Sequence, residues 1–534
     1  MSLPRFLDRI VDATAPALGG LDRAVVTAKL EETSVTLAGG VAAANGTARE
    51  GFLLAANLLA RLYPRIVLAG PEDLVAAAAD AVVLINPRVS VSTSSKASDP
   101  TTVTLAYELP PAAALATIAD DGTSIAAFAR RWNVFVDTDP SSNAPSAAPA
   151  ALLAAVIGVS EVFRSVFAEH LGPRGRRAPQ PGSLNLVTLG KSADLPVPRR
   201  IDVGEVRLVG AGAIGQAAAY TLASGGAHGT LLAIDDEVVA LSNLQRYVLT
   251  GDGDVGAVKV DLLRERLRKT SLEVVPLKTE WYADLVEAQA PTLVALDSPE
   301  ARIGVQASLP GPIYNAWTQP ADVGWSRHER FGKEACLACL YWPEHEVPSR
   351  HEQIATAFRQ HPLRVLGYLV HRLPVGLPLP PGGVPSLPNL PAPPEAVDWL
   401  QTPLIDAIAL AAGIDATELT PWRERPLADV YQDGICGGAL LHLDVGAVPR
   451  DVLVPLAHQS VFAGVMVATQ LIVASVARLK TARAAAVEAR FDVLAGMPQV
   501  LARPRQPASA CLCGDPVFRE VYREKAQRLT RQVH

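Results

Sequence analysis

The sequence predicts an α/β protein assembled from two layered halves, and three observations predict it. Short apolar runs alternate with Ala-rich helical stretches along most of the chain, the pattern of strands and helices that stack into α/β layers. Residues 206–215, VRLVGAGAIG, set a glycine turn directly after an apolar run. Residues 230–237 then carry a second apolar run into three acids, Asp235, Asp236 and Glu237. Strand, glycine turn, helix, strand and acid, in that order, form a mononucleotide-binding unit.

Composition sets the limits. At 534 residues the chain is too long for one ordinary core, and about three domains is the prior. Hydrophobic residues at 49% with 19% charged indicate large buried cores, not disorder. A net charge of −6 offers no basic footprint, which excludes nucleic acid as the main partner. The first twenty residues carry acids inside their apolar stretch and no cleavage pattern, so no signal peptide is read there. The longest apolar run, Val461 to Ala477, is short for a membrane span and contains Gln470. It reads as a buried helix, and the expectation is a soluble cytoplasmic chain.

Residues 1–196 read as the first half. Apolar runs at Ser34–Leu37, Arg65–Ala69, Ala81–Ile85, Val103–Tyr107 and Asn133–Asp137 predict strands, and 48–62 and 149–170 predict helices. Gly39, Gly40 and Gly46 do not have the spacing of a phosphate turn, and no cysteine precedes Cys336. This half therefore reads as a scaffold without its own nucleotide site. Residues 172–182, GPRGRRAPQPG, form a linker or exposed loop, followed by an apolar run over Leu184–Leu189.

The second half holds the glycine unit. Val206–Val209 is its first strand, Gln216–Ala223 its helix and Thr230–Ile234 its second strand. A charged helix follows Lys259 to about Lys269, then a short strand over Glu273–Pro276. Thr292–Leu296 is an apolar run delivering Asp297, where a strand's C-terminal end presents ligand contacts. From 350 to 430 the character changes. Helical stretches at Gln353–His371 and Ala396–Ala412 flank LPVGLPLPPGGVPSLPNLPAPP at 373–394, whose proline content predicts an exposed, semi-rigid connector. Beyond this insertion lie Asp433-Gly-Ile-Cys436-Gly-Gly, an apolar helix over Ala457–Leu479, Cys511-Leu-Cys513 and a charged helical tail. No internal repeat is visible in the sequence.

The glycine turn by itself fits NAD, NADP or FAD. The residues after it change the reading. An NAD site has no use for an amide and cations at Asn243, Arg246 and Lys259, whereas a triphosphate needs balancing charge and an oriented oxygen. Asp297 suits the magnesium ion that accompanies ATP. The bland alternative is that Arg246 and Lys259 are ordinary surface charges.

At this point a family resemblance is reached. Gly210-x-Gly212-x-x-Gly215, Asp235-x-Glu237, Ser242-Asn243-Leu-Gln-Arg246, Gly256-x-x-Lys259 and Leu296-Asp297 resemble the adenylation domain of ThiF, MoeB and the ubiquitin-activating enzymes. The resemblance covers 200–345 well and the C-terminal end of the chain moderately. It implies tandem Rossmann-like adenylation domains, an inactive one at 1–196 and an active one at 197–534 interrupted by the insertion at about 350–430. It also implies that the C-terminal glycine carboxylate of a small ubiquitin-like β-grasp protein attacks the ATP α-phosphate, giving an acyl-adenylate and pyrophosphate. By motif position Gly210, Gly212 and Gly215 hold phosphates and Asp235 the ribose, beside Glu237. Asn243, Arg246 and Lys259 act on the triphosphate, and Asp297 on magnesium. Two residues depart from the family pattern: Glu237 stands where Asp is usual, and Tyr247 where Gln is usual. Family sites also borrow an arginine from a partner domain, for which Arg5 and Arg9 are both candidates.

An odd count of five cysteines in a cytosolic chain argues against a disulfide framework. Cys336-x-x-Cys339 and Cys511-x-Cys513 resemble the structural zinc ligands that recur in this family; four buried free cysteines are the alternative. Cys436, in a small-residue loop, resembles the thioester cysteine of ubiquitin-activating enzymes. Two fused halves in a compact chain are most similar to the BilD-type activating enzymes of bacterial ubiquitin-like (Bil) conjugation systems used in antiphage defence. That likeness implies a conjugating enzyme as the next partner, and it is compatible with a homodimer. Three rival readings remain: a sulfur-carrier adenylyltransferase without a thioester, a nicotinamide oxidoreductase, and a non-enzymatic scaffold.

Overall fold

Apolar runs with no polar alternation make strands that must be covered on both faces, and parallel sheets supply that cover. In the computed structural model such runs build two sheets. The structure describes residues 21–93, 103–110, 123–138, 140, 143–190, 193–281, 290–319, 322–341, 350–384, 396–431, 455–494, 496–497, 500–508 and 511–532. The chain divides into two compact units, Met1–Trp342 with Pro455–His534, and Pro343–Val454.

The first sheet runs β1 (Val35–Gly39), β2 (Arg65–Ala69), β3 (Ser90–Thr93), β4 (Val103–Tyr107), β5 (Thr123–Arg130), β6 (Asn133–Val136) and β7 (Gly182–Asn185), in the spatial order β3-β2-β1-β4-β5-β6-β7. β1 to β5 are parallel, while β6 and β7 are antiparallel. Helix α1 (Arg23–Glu32) leads into β1, and α2 (Gly46–Ala60), α3 (Glu72–Ile85) and α4 (Ala148–Val166) cover the sheet. Residues 81–85, expected as a strand, are the last turns of α3. A short apolar run cannot be told from a buried helix segment by pattern alone, and the alanines upstream extend the helix through it. β5 escapes a sequence reading because TSIAAFAR is alanine-rich, a helix former's composition.

The second sheet repeats the strand order. β8 (Ile201–Val209), β9 (Ala227–Ile234), β10 (Leu272–Leu277), β11 (Thr292–Val294), β12 (Ile313–Thr318), β13 (Val323–His328), β14 (Glu488–Phe491) and β15 (Val500–Arg503) lie as β10-β9-β8-β11-β12-β13-β14-β15. β8 to β12 are parallel, and β13 to β15 continue the sheet antiparallel. Its helices include α5 (Ala213–Ser224), α6 (Lys259–Leu267), α7 (Pro299–Ala307) and α8 (Leu337–Tyr341).

The unit at 343–454 has its own core. Helices α9 (Arg350–Ala357), α10 (Pro362–His371) and α11 (Leu404–Ala412) enclose Ile354, Phe358, Tyr368, Ile405 and Ile408. The Pro-rich stretch is not simply an exposed connector: Val375 and Leu379 are buried in that core. Tyr368 ties it down, since its hydroxyl donates to the Leu377 carbonyl (2.5 Å) and accepts from Leu404 N–H (2.9 Å). An extended, proline-stiffened chain can turn its valines and leucines inward while its prolines forgo backbone donors.

Helix α12 (Ala457–Ser475) packs on α5, α4, β12 and β13, and so belongs to both halves of the larger unit. The contact with α5 is close because Gly464 has no side chain; a Cβ there would stand 2.5 Å from Ala217 Cβ. α4 and α12 are the two described helices long and apolar enough to cross a membrane, and 94% of the apolar 18-residue window of each is buried inside the protein. They are core helices. A C-terminal helix, α13 (Pro516–Gln532), closes the chain.

Candidate active site

The strand order reverses between β8 and β11, and the crevice outside the carboxyl ends of strands at such a point is where open α/β sheets hold ligands. Gly210 follows β8 with φ +94°, and a Cβ there would lie 2.6 Å from the Ala295 carbonyl oxygen. Gly215 sits in the first turn of α5, where a Cβ would come 2.0 Å from the Gly210 oxygen. Gly212 is the N-cap of α5. Bare backbone thus borders a helix start whose first N–H groups have no intrahelical partner, a setting that favours phosphate.

Asp235 follows β9 and locks the turn. Its Oδ2 accepts from Ala211 N–H (2.8 Å) and its Oδ1 from Glu237 N–H (2.9 Å). Lys259, first residue of α6, is buried and ion-paired with the half-exposed Glu237. Burial opposes the Lys259 charge, but Tyr247, Asp235 and Glu237 outweigh it and hold the ammonium above its ordinary range. The ammonium also stands 5.4 Å over the Tyr247 ring. The site therefore keeps a permanent cation in a poorly solvated place.

Asn243 ends a short 3-10 turn, Leu241–Asn243, and its Oδ1 accepts from Ala240 N–H (2.8 Å), which leaves the amide nitrogen as donor. Arg246 Nε is buried with no hydrogen-bond partner among the described residues, as are both amide atoms of Gln245. Asp297 is exposed just beyond β11. The structure thus brings Gly210, Gly212, Gly215, Asp235, Glu237 and Lys259 together around one turn, with Asn243 and Arg246 on the loop between Glu237 and Lys259. A donor-rich turn, an orphaned guanidinium N–H and a buried ammonium suit a polyphosphate; the exposed carboxylate of Asp297 suits a hard cation such as magnesium.

Two residues absent from the sequence reading belong to the same neighbourhood. Asn57 and Arg61, in the first half, bond the carbonyls of Val248, Leu244 and Thr250. Only the fold brings them near, so no local signal marks them.

The four paired cysteines converge. Cys336 Sγ lies 3.8 Å from Cys339 Sγ and 3.5 Å from Cys511 Sγ, and Cys339 Sγ lies 3.4 Å from Cys513 Sγ. All four sulfurs fall within 4.8 Å of one another and all four residues are buried. Four thiolates on a tetrahedral zinc stand about 3.8 Å apart, given Zn–S bonds near 2.3 Å, so the cluster has the dimensions of such a site. Cys339 Sγ also accepts from Ala508 N–H (3.4 Å), a contact of the kind that steadies a thiolate. Cys436, Arg5 and Arg9 lie outside the described residues.

Fold and site define an α/β protein with a glycine turn where the strand order of its second sheet reverses, an arrangement suited to a polyphosphate. The ThiF family model matches residues 192–309. An uncharacterized protein, y4jF, of Sinorhizobium fredii is 32% identical over 560 residues, covering 98% of this chain and 97% of that protein. The chain belongs to the same family as that protein, and its residues 192–309 match the ThiF family. The sulfur carrier protein ThiS adenylyltransferase of Escherichia coli is 29% identical over 160 residues, covering 28% of this chain and 61% of that protein. The molybdopterin-synthase adenylyltransferase of E. coli is 38% identical over 92 residues, covering 17% and 35%. The match thus spans less than two thirds of each of these named adenylyltransferases. Among solved structures, E. coli MccB with AMPCPP and MccA aligns at 26% identity over 26% of this chain and 45% of that chain, with a TM-score of 0.23.

Proposed function

We propose that this chain adenylates the C-terminal carboxylate of a small ubiquitin-like protein at the expense of ATP. The observation that carries this reading is the buried Lys259 ammonium, ion-paired with the half-exposed Glu237 after the glycine unit, together with Arg246 Nε, which is buried with no hydrogen-bond partner among the described residues. A carboxylate oxygen attacks the α-phosphorus, the bond from that phosphorus to the bridging oxygen breaks, and pyrophosphate leaves with the electron pair. Gly210, Gly212 and the α5 N-terminus cradle phosphate oxygens, Asp235 takes the ribose, and Asn243, Arg246 and Lys259 offset the growing negative charge. Magnesium held at Asp297 would add a further positive charge beside the phosphates. Similarity to the ThiS and molybdopterin-synthase adenylyltransferases favours the same reaction class.

The finer reading adds a second step. The Cys436 thiolate attacks the acyl carbon, AMP leaves, and a thioester forms for transfer to a conjugating enzyme. Here the support is the sequence around Cys436 alone, and a cytoplasmic, Bil-type antiphage role rests on likeness to that class of enzyme. Residues 1–196 act as the inactive partner domain. In favour of this, Glu108 follows β4 as Asp297 follows β11, yet Glu108 is buried and bound by Arg130 and Ala129 N–H. A Cβ at Gly40 would meet the Glu108 carbonyl at 2.4 Å, and Leu109 packs on Ala38 and Ala69 where a ligand crevice would open. A structural zinc on the four cysteines is part of the same proposal.

The test is ATP–pyrophosphate exchange by the full chain with glycine-terminated ubiquitin-like proteins, above all any encoded beside its gene. Exchange lost in both Lys259→Ala and Asp297→Ala is expected. NADH binding without exchange would transfer the site to the oxidoreductase class, and neither activity would leave a scaffold.

A further inference from the structure

The loop at 244–250 carries Arg246 and Tyr247 but has little regular structure to hold it. Its own backbone bonds are turn contacts: Arg246 N–H and Tyr247 N–H to the Asn243 carbonyl (both 3.0 Å) and Thr250 N–H to the Tyr247 carbonyl (3.0 Å). Side chains hold much of the rest. Gln216 Oε1 accepts from Leu249 N–H (3.2 Å) and Arg266 Nε donates to the Leu249 carbonyl (3.0 Å).

The remaining ties come from the other half of the molecule. Arg61, at the C-terminal cap of α2, is fully buried. Its Nε donates to Asn57 Oδ1 (2.8 Å), one terminal nitrogen donates to the Leu244 carbonyl, and the other to the Thr250 carbonyl (2.9 Å). Asn57 Nδ2 donates in turn to the Val248 carbonyl (2.9 Å). One guanidinium therefore pins both ends of the loop, with Arg246 between the pins. We infer that Arg61 is a positioning residue: it fixes the 244–250 loop, and through it Arg246, for the triphosphate, so the first half shapes the nucleotide site through the loop backbone. The inference rests on the proposed ATP reading.

The chemistry favours arginine at this point. A planar fork reaches two carbonyls at once, whereas a lysine ammonium is a point charge that would hold one end. Burial lowers the Arg61 guanidinium to about 9, which still leaves it charged at neutral pH. Among the described residues these carbonyls have no backbone donor, and irregular buried backbone is ordered by such side-chain bonds.

Calorimetric binding of Mg·ATP by the full-length wild type, Arg61→Met, Arg61→Lys, Arg246→Ala and Arg61→Met/Arg246→Ala tests this, together with amide exchange of each. Arg61→Met weakens Mg·ATP binding about tenfold, as expected for one misplaced charge-assisted hydrogen bond. Arg61→Lys recovers part of the loss, and Arg61→Met adds nothing to Arg246→Ala in the double variant. Exchange quickens at 244–250 but not in β8 or α5. Additive losses, or undiminished affinity in Arg61→Met while the wild type binds Mg·ATP, overturn the inference. A wild type that binds no Mg·ATP sinks the ATP reading instead. Loop exchange then decides: unchanged rates overturn the clamp, and quickened rates sustain Arg61 as the residue that orders the loop. If Arg61→Met does not fold, Arg61→Lys carries the same comparisons.

Discussion

The Lys259 ammonium stands 5.4 Å over the centroid of the Tyr247 ring. Tyr247 is the residue that replaces the family's usual glutamine, and its buried ring supplies a negative face to the cation. An amide donor is exchanged for an aromatic face beside the Lys259 cation. Lys259→Ala is expected to cut pyrophosphate exchange by about 10²–10³-fold, the usual cost of deleting one transition-state charge contact. Tyr247→Leu should cost less, about 3- to 30-fold, in line with a cation–π contact. Steady-state exchange rates measure both, and a Tyr247→Leu loss equal to that of Lys259→Ala would mean that the ring does more than support the lysine.

Asp297 is exposed at the crevice and is not in an ion pair among the described residues. Asp297→Asn should retain ATP binding yet lose exchange, and the loss should ease as magnesium is raised, since weakened metal binding is overcome by mass action. Exchange rates across a magnesium titration check this; no magnesium dependence would move the metal site elsewhere.

Elemental analysis of the purified chain should find about one zinc per chain on Cys336, Cys339, Cys511 and Cys513. Chelation should free thiols and lower the melting temperature, because these ligands join segments far apart in sequence. Cys513→Ser should lower both metal content and melting temperature. No bound metal would leave four buried free cysteines.

Cys436 separates the activating-enzyme reading from the sulfur-carrier one. With a ubiquitin-like substrate and ATP, a thiol-sensitive adduct should form on the wild type and vanish in Cys436→Ala, while pyrophosphate exchange persists. Non-reducing electrophoresis reads the adduct. An adduct that survives the substitution removes Cys436 from the mechanism.

His458, near the start of α12, is fully buried, and burial depresses its imidazole from 6.5 to about 3. The unfolded chain therefore takes up a proton that the folded chain resists. The sign follows: stability is full above about pH 6.5 and falls on acidification toward pH 3, by up to ~1.4 kcal/mol per pH unit. Urea unfolding of wild type and His458→Phe across that range measures the difference, and the variant should show the flatter dependence. Equal slopes would place the titrating group elsewhere.

Much of the second half was legible in the chain itself. The runs at Val206–Val209 and Thr230–Ile234 lie within β8 and β9, and Gly210, Asp235 and Lys259 follow at motif spacing. In the first half, β2 and β4 match their apolar runs residue for residue. Such features are local. A buried parallel strand must be continuously apolar, and a glycine turn must stand next to its strand, so both leave a mark in a short window.

Contacts across the chain left no such mark, and only tertiary structure decided them. Residues 81–85 became helix because their neighbours continued one. Val375 and Leu379 were drawn into a core despite the prolines around them. Cys339 met Cys513 because the segment holding β14 and β15 returns to the sheet beyond β13. Arg61 met Leu244 because the two halves pack with α2 against the 244–250 loop. The sequence by itself determined the glycine turn and the acids and cations that follow it at motif spacing, since those need only type and position. Which side chains hold those residues in place was settled by packing, where partners far apart in the chain meet only after both halves have folded.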